Sequence, residues 1–337
     1  MPWAGSRNGR EGAPSRFELM PASKLLSRIR SLFLWALALA ILIVIFRHVP
    51  FSQLAQAWSR FHLLGFAGPL LAFFLVLFFL DSYAHAWLLR RFGAPLPYPE
   101  VLRARGASYL LASVGFLYGQ GSIAYILSKK TGRSLSEIAG IIFFLAYNTY
   151  HSLLILPTLL LFSFFHDPGF GQTREFHWLL LFMAVAWPLF ALSLLFWVRG
   201  RPQSLRRRLH TPLLAAFDQA RLSDYAFVIA LRLVQNLIWI ALTAVALRSL
   251  DLRLPLADLI LKLPLISFVA AIPTPGRLGT TQGAWLVLFA GQALPQDLLL
   301  FSLAWTLAMN LLRWIFGLLF FKHFSSPQSS SDIHLQS

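Results

Sequence analysis

The stretch Pro273-Thr274-Pro275-Gly276-Arg277-Leu278-Gly279 separates two apolar runs, 258–272 and 278–292. A helix that crosses a bilayer needs about 20 apolar residues, so each run is short for a crossing. Two short helices joined by a Pro/Gly break read as a hairpin that enters the membrane and returns to the same side. Irregular backbone at that depth is stable only where protein buries it or where it lines a polar cavity, because lipid offers no hydrogen-bond partners. The break is therefore the first candidate for the functional centre.

The pattern has an upstream copy. Pro97 matches Pro255, Glu100 matches Asp258 and Gly121 matches Gly279, all at an offset of 158 residues. Stretch 92–121 aligns with 250–279 without a gap. Gly132 then matches Gly291, and Glu137 matches Asp297, at slightly longer offsets. The shared order is helix, Pro plus acid, short helix, Gly-rich break, short helix, Gly, acid, long helix. It predicts an internal repeat with halves of about 63–198 and 225–322.

Composition sets the class. Hydrophobic residues make up 57% of the 337 and charged residues 12%, about half the charged fraction of a soluble domain. An all-α polytopic membrane protein is expected. The absence of cysteine excludes disulfides and thiolate chemistry. The net charge is +16, but the positive charges lie between apolar runs instead of forming a patch. They read as topology signals and as attraction to anionic lipid head groups, and no nucleic-acid partner is expected.

Six long transmembrane helices are expected, at 31–46, 63–89, 138–165, 176–198, 225–247 and 298–321. The first hairpin covers 101–131, with its break at Gly115 to Gly121; the second follows 225–247. Residues 1–23 and 325–337 are expected to be disordered tails around a single transmembrane domain, 24–324. No cleavable signal peptide is expected, and 203–221 is expected to form an amphipathic surface helix. With the N-terminus in the cytoplasm, Arg47, Arg60, Arg174, Arg248 and Arg253 fall in outer loops. Lys262 and Arg277 belong to the outer hairpin, Arg232 and Arg313 lie within spans, and the remaining Lys and Arg residues are cytoplasmic. This bias predicts both termini on the cytoplasmic side of the inner membrane. Span 63–89 then runs inward and 225–247 outward. The two re-entrant hairpins dip in from opposite faces, and the halves are inverted repeats, a design that lets one site open to either face.

The motif Pro273-x-Pro275-Gly276-x-x-Gly279, followed by an apolar helix and Gly291, resembles the lysylphosphatidylglycerol synthase transmembrane region family, also called flippase-like. Gly119-Gln120-Gly121 and Lys129-Lys130-Thr131-Gly132-Arg133-Ser134-Leu135 resemble the family's first block. The resemblance covers about 30–322 and implies lipid flipping. The family loop usually reads Pro-Gly-Gly-x-Gly-x-x-Glu. Here Arg277 replaces the second Gly and Gln282 stands where the Glu is expected. Ser122 and Tyr125 stand where the first block carries a carboxylate and an Arg, and Tyr147-Asn148 where the third span carries an Arg. The scaffold is kept while several charged positions are neutral.

Helix N-termini at the breaks offer free N–H groups and positive dipole ends to an anion such as a lipid phosphate. This makes Gly119, Gln120, Gly121, Pro273, Pro275, Gly276, Arg277, Gly279 and Gln282 candidate binding residues. The glycines and prolines equally allow two short helices to turn, and Arg277 is either a phosphate partner or a solvated loop cation.

Polar residues within spans carry more information, because they are costly in hydrocarbon. Asp81 lies eight residues from the cytoplasmic end of its span, Arg232 seven and Arg313 eight. At a rise of 1.5 Å per residue all three sit about 10–12 Å inside. Asn148 and Asn310 lie slightly deeper, and Gln235 and Asn236 flank Arg232. One polar layer lining a cavity accounts for this, with Asp81 paired to Arg232 or Arg313. Snorkelling to the head groups is the alternative for either Arg. His85, one turn from Asp81, either shares its proton or packs at an interface.

The sequence holds no Asp-x-Asp pair, no His-x-x-x-x-Asp motif and no His cluster with metal spacing, so neither an enzyme nor a cofactor is expected. The leading expectation is a lipid translocase or lipid-binding transporter for a polar or anionic head group, with membrane lipids as partners. One alternative is an intramembrane enzyme acting on a lipid-linked substrate, for which Asp81 and His85 are the protonatable groups. The other is a non-catalytic membrane partner of lipid-biosynthesis enzymes in hopanoid or glycolipid pathways.

Overall fold

A computed structural model describes residues 36, 38–164, 174–198, 211–271, 274 and 278–325. Every regular element among them is helical. In chain order these are α1 (Ala38–His48), α2 (Phe51–Ser59), α3 (Leu63–Arg91), α4 (Tyr98–Ala112), α5 (Phe116–Thr131) and α6 (Leu135–Phe164). They continue with α7 (Arg174–Val198), α8 (Ala215–Gln219), α9 (Leu222–Leu247), α10 (Leu256–Val269), α11 (Thr280–Leu288) and α12 (Pro295–Ser325). The expected tails, 1–23 and the chain beyond Ser325, lie outside the described residues, as does the start of the first expected span.

Five stretches are long and apolar enough to cross a membrane: Leu63–Arg91, Leu135–Phe162, Leu179–Val198, Leu222–Leu250 and Pro295–Phe321. A sixth arises if α1 and α2, bent by 76°, count as one broken span. Pro50 starts α2 with φ near −61°. It has no N–H to continue the preceding helix and restricts the residue before it, which accounts for the bend. The chain is a multi-pass membrane protein.

Two pairs of short helices sit between the long ones. Pro97 caps α4, Glu100 stands in its first turn, and α5 ends on Gly132 in the left-handed region at φ 69°. Lys130 Nζ lies 3.1 Å from Glu100 Oε2, and Arg133 Nη2 donates to Gly93 O at 2.8 Å. The outer ends of α4 and α5 are thus pinned together and the two helices run antiparallel. In the second pair Pro255 caps α10 with Asp258 in its first turn, and Gly279 precedes α11 at φ 84°. Gly291 follows at φ 77°. Glycine occupies this region without a Cβ clash.

Three expectations need correction. The first break is shorter than Gly115 to Gly121, because α5 already begins at Phe116 and encloses Gly119-Gln120-Gly121. Gly119 serves close packing instead of a turn: a Cβ there would lie 2.6 Å from Ala112 Cβ on α4. Next, α11 is a helix of 9 residues that ends at Leu288, well short of 292. Finally, the described part of 203–221 is a 3-10 turn, Pro212–Leu214, followed by α8. Phe217 is buried with its ring 5.2 Å from that of Phe144, so this segment packs into the bundle instead of lying amphipathically on a surface.

The packing crosses between the two halves of the chain. Helix α4 lies along α12, α10 lies against α6, and α3 lies along α9. A Cβ at Gly317 of α12 would meet the backbone nitrogen of Leu110 at 2.8 Å, so the α4–α12 contact is close. Apolar side chains such as Leu64 and Phe162 remain exposed, as the lipid-facing surface of a membrane protein requires. Lipid tails are as apolar as leucine, so such a bundle is held by close packing and interhelical polar contacts.

A polar cavity between the paired helices

The charged centre is built on α3, α4 and α9. Asp81 is buried, and its Oδ1 accepts a hydrogen bond from Arg232 Nη2 at 2.5 Å. Arg232 Nη1 donates to Gln235 Oε1, also at 2.5 Å. Arg105 Nε lies 2.6 Å from the other carboxylate oxygen, Asp81 Oδ2. Both side chains of that second contact are buried as well. One carboxylate thus bridges two guanidinium groups from different helices. The Arg105 guanidinium also lies over the Tyr109 ring, 4.8 Å from its centroid. His85, one helical turn from Asp81, donates from Nδ1 to the Asp81 backbone oxygen at 2.7 Å.

This centre opens on a cavity of about 300 Å³. The cavity lining has a consistent direction. Along α3 it runs from Phe73 and Leu77 to Asp81 and His85; along α9, from Thr243 and Trp239 to Asn236 and Arg232; along α12, from Trp305 to Asn310 and Arg313. Residues four apart share a helix face, so each helix presents aromatic groups to one end and charged groups to the other. At the aromatic end the Phe73 ring lies 5.7 Å from Trp305 and 6.4 Å from Trp239. At the charged end Arg313 Nη1 donates to Asn310 Oδ1 at 3.1 Å. Both pairs of short helices border the space: Ala112 of α4 with Gly119 and Gln120 of α5, and Ala270 just after α10 with Thr281 of α11.

Several sequence candidates meet here. Asp81, Arg232, Asn310, Arg313, Gly119 and Gln120 line the cavity. Of the two pairings that matched depths allow, Asp81 with Arg232 or with Arg313, the structure forms the one with Arg232. Gly121, Gly279, Asn148 and Gln282 are not among the lining residues. Asn148 is buried and donates to Phe144 O of its own helix at 2.8 Å. Gln282 is a structural brace: its Oε1 accepts from the Gly279 N–H at 2.7 Å, and its Nε2 reaches Thr306 Oγ1 at 3.3 Å and Ser302 O at 3.4 Å. It satisfies a helix N-terminal donor as a capping side chain does. Pro273, Pro275, Gly276 and Arg277 lie outside the described residues.

Sequence reasoning missed Arg105, which it counted with the cytoplasmic cations. The signal was present: Arg105 lies eight residues past Pro97, the start of its helix, as deep as Asp81 is in its own. Among the described residues no group of three His, Cys, Asp or Glu side chains is placed to hold a metal ion. The lining supplies charge, amides and aromatic faces, which suits binding and orientation of an amphiphilic molecule.

No curated protein and no solved structure matches this chain. The sequence profile of the lysylphosphatidylglycerol synthase TM region matches residues 31–317, most of the chain including every residue that lines the cavity, and the protein belongs to that family.

Proposed function

We propose that the protein is a lipid translocase or lipid-binding transporter of the inner membrane. A polar or anionic head group enters the cavity while its tails stay in the bilayer. The observation that carries this reading is the cavity itself, which is charged at one end, aromatic at the other and bordered by both pairs of short helices. Asp81 is the one carboxylate among the lining residues and is committed to two arginines, which weakens the reading as an intramembrane enzyme.

In this reading α4–α5 and α10–α11 are re-entrant hairpins. Helices of 15 and 16 residues are about 22–24 Å long at 1.5 Å per residue, less than the roughly 30 Å of hydrocarbon. Their joined outer ends return the chain to its starting side. The halves are inverted repeats: α3 to α6 and α9 to α12 share the order long, short, short, long. Pro97 and Pro255 cap the first short helix of each, and Gly132 and Gly291 both take positive φ after the second. The basic-residue bias places both termini in the cytoplasm.

Reconstitution into liposomes with head-group-labelled lipids and an outside quencher tests this reading. Movement of label between leaflets, with the lipid chemically unchanged, is the expected result. A modified lipid would favour an enzyme, and static, unmodified lipid would favour a scaffold for lipid-biosynthesis enzymes.

A further inference from the structure

Helix α2 leaves α1 at 76° and lies against α12. It ends at Arg60, whose Nη2 donates to Asp297 Oδ1 at 2.9 Å. Asp297 stands in the first turn of α12 and is buried, whereas about half of the Arg60 side chain is exposed. Elsewhere α12 packs mainly along α4, and α3 along α9. The Arg60–Asp297 pair therefore ties one packed couple to the other, at the opposite end of α12 from Arg313. The ion pair beyond the charged end, Arg91 Nε to Asp224 Oδ1 at 2.8 Å, stays within the α3–α9 couple. A series of rings leads inward from Arg60. Trp58 lies 5.4 Å from Phe61, Phe61 lies 5.1 Å from Phe66, and Phe66 lies 5.9 Å from Phe301 and 6.1 Å from Trp305. Phe66 and Phe301 are buried, and Trp305 belongs to the cavity wall. Close-packed interiors hold few voids larger than a water molecule, so these rings plug the aromatic end.

We propose that α2 and Phe61 form a lid over the aromatic end of the cavity, latched by Arg60 and Asp297, and that this structure is the state closed at that end. An ion pair with one exposed partner contributes little stability, which suits a contact that opens and closes. When it opens, water reaches Asp297, so the carboxylate is not left buried and unpaired, the costly case. The bend at Pro50 and the bond from the His62 N–H to Ser249 O at 2.9 Å confine the movement to residues 51–61. The lid takes its purpose from the transporter reading above, but its closure is measured without any lipid.

The chain has no cysteine, so single thiols report accessibility cleanly. Thr243, at the aromatic end of the cavity, is 1% exposed and its hydroxyl has no partner to lose. Thr243→Cys in the full chain is labelled with a membrane-impermeant maleimide on sealed membrane vesicles, from the side on which the exposed Ser59→Cys reacts. Slow labelling is expected with Arg60 and Asp297 in place. Arg60→Gln or Asp297→Asn should each raise the rate by about tenfold, Arg60→Lys should keep it low, and Arg91→Gln should leave it unchanged. Labelling of the otherwise unchanged chain as fast as at Ser59→Cys would mean that the end is open and overturns the lid. Unchanged protection in both Arg60→Gln and Asp297→Asn overturns the latch. An equal rise in Arg91→Gln marks general loosening of the bundle and overturns it too. A tenfold rise confined to the Arg60 and Asp297 variants supports the lid even where the liposome assay detects no lipid movement, an outcome that would count against the transporter reading alone.

Discussion

Asp81 and Arg232, 151 residues apart in the chain, meet at 2.5 Å in the interior of the helical bundle. They belong to α3 and α9, each of which precedes a pair of short helices, and which pack along each other. The same carboxylate lies 2.6 Å from Arg105 on the first short helix. One acidic side chain therefore ties together three elements that border the cavity.

The first prediction follows from that tie. Asp81→Asn leaves two buried guanidinium groups without a counter-ion. Breaking a buried pair from one side costs about 3–5 kcal/mol, so the denaturation midpoint in neutral detergent should fall sharply. Arg232→Gln alone should also destabilise. The double variant should lose less than the sum of the two, because one removal takes away the reason for the other's cost. Compensation should be partial, since Arg105 remains. Strictly additive losses, measured in a double-mutant cycle, would contradict the coupling.

The second prediction concerns Gln282, which stands where a Glu is expected for the family. Its Nε2 donates toward Ser302 O and Thr306 Oγ1 while its Oε1 accepts from Gly279 N–H. A carboxylate keeps the acceptor role but turns an oxygen toward the Ser302 carbonyl. Gln282→Glu should thus lower thermal stability by about 1–3 kcal/mol, the scale of a buried polar group left unsatisfied. A variant as stable as the parent would show that the amide donor is unused.

The third prediction separates two glycines of one motif. A Cβ at Gly119 would sit 2.6 Å from Ala112 Cβ and 2.8 Å from Ala112 Cα, whereas one at Gly121 meets nothing within 4 Å. Gly119→Ala should push α5 off α4 and destabilise by about 1–3 kcal/mol, as overpacking does. Gly121→Ala should be neutral or gain up to about 1 kcal/mol of helix propensity. Equal effects, by thermal melting of the two purified variants, would argue against the packing role.

Much of this arrangement was legible in the sequence, for reasons of depth and length. Long apolar runs give five of the expected spans directly, and Pro97, Pro255, Gly132 and Gly291 sit where helix ends require them. Asp81 and Arg232 were legible because charge inside a span is costly and both lie at similar depth. Arg105 was not, because a short helix flanked by basic residues hides one buried cation among surface ones. Gly119 and Gln282 were legible as special positions but not by role. Whether a glycine turns a chain or admits a neighbouring helix depends on tertiary contacts that no local pattern encodes. The fold of 211–219 into the bundle escaped for the same reason: the burial of Phe217 is set by Phe144, 73 residues away.

The central claim is that a lipid head group occupies the cavity between the two pairs of short helices. The most direct measurement is photo-cross-linking with a phospholipid that carries a diazirine beside its phosphate, with adduct sites mapped by mass spectrometry. The account predicts adducts on cavity-lining residues such as Leu77, Thr149 and Trp239, strongly reduced in Arg313→Gln. Adducts confined to outward-facing side chains such as Phe79 and Phe162, and unchanged by that substitution, would contradict it.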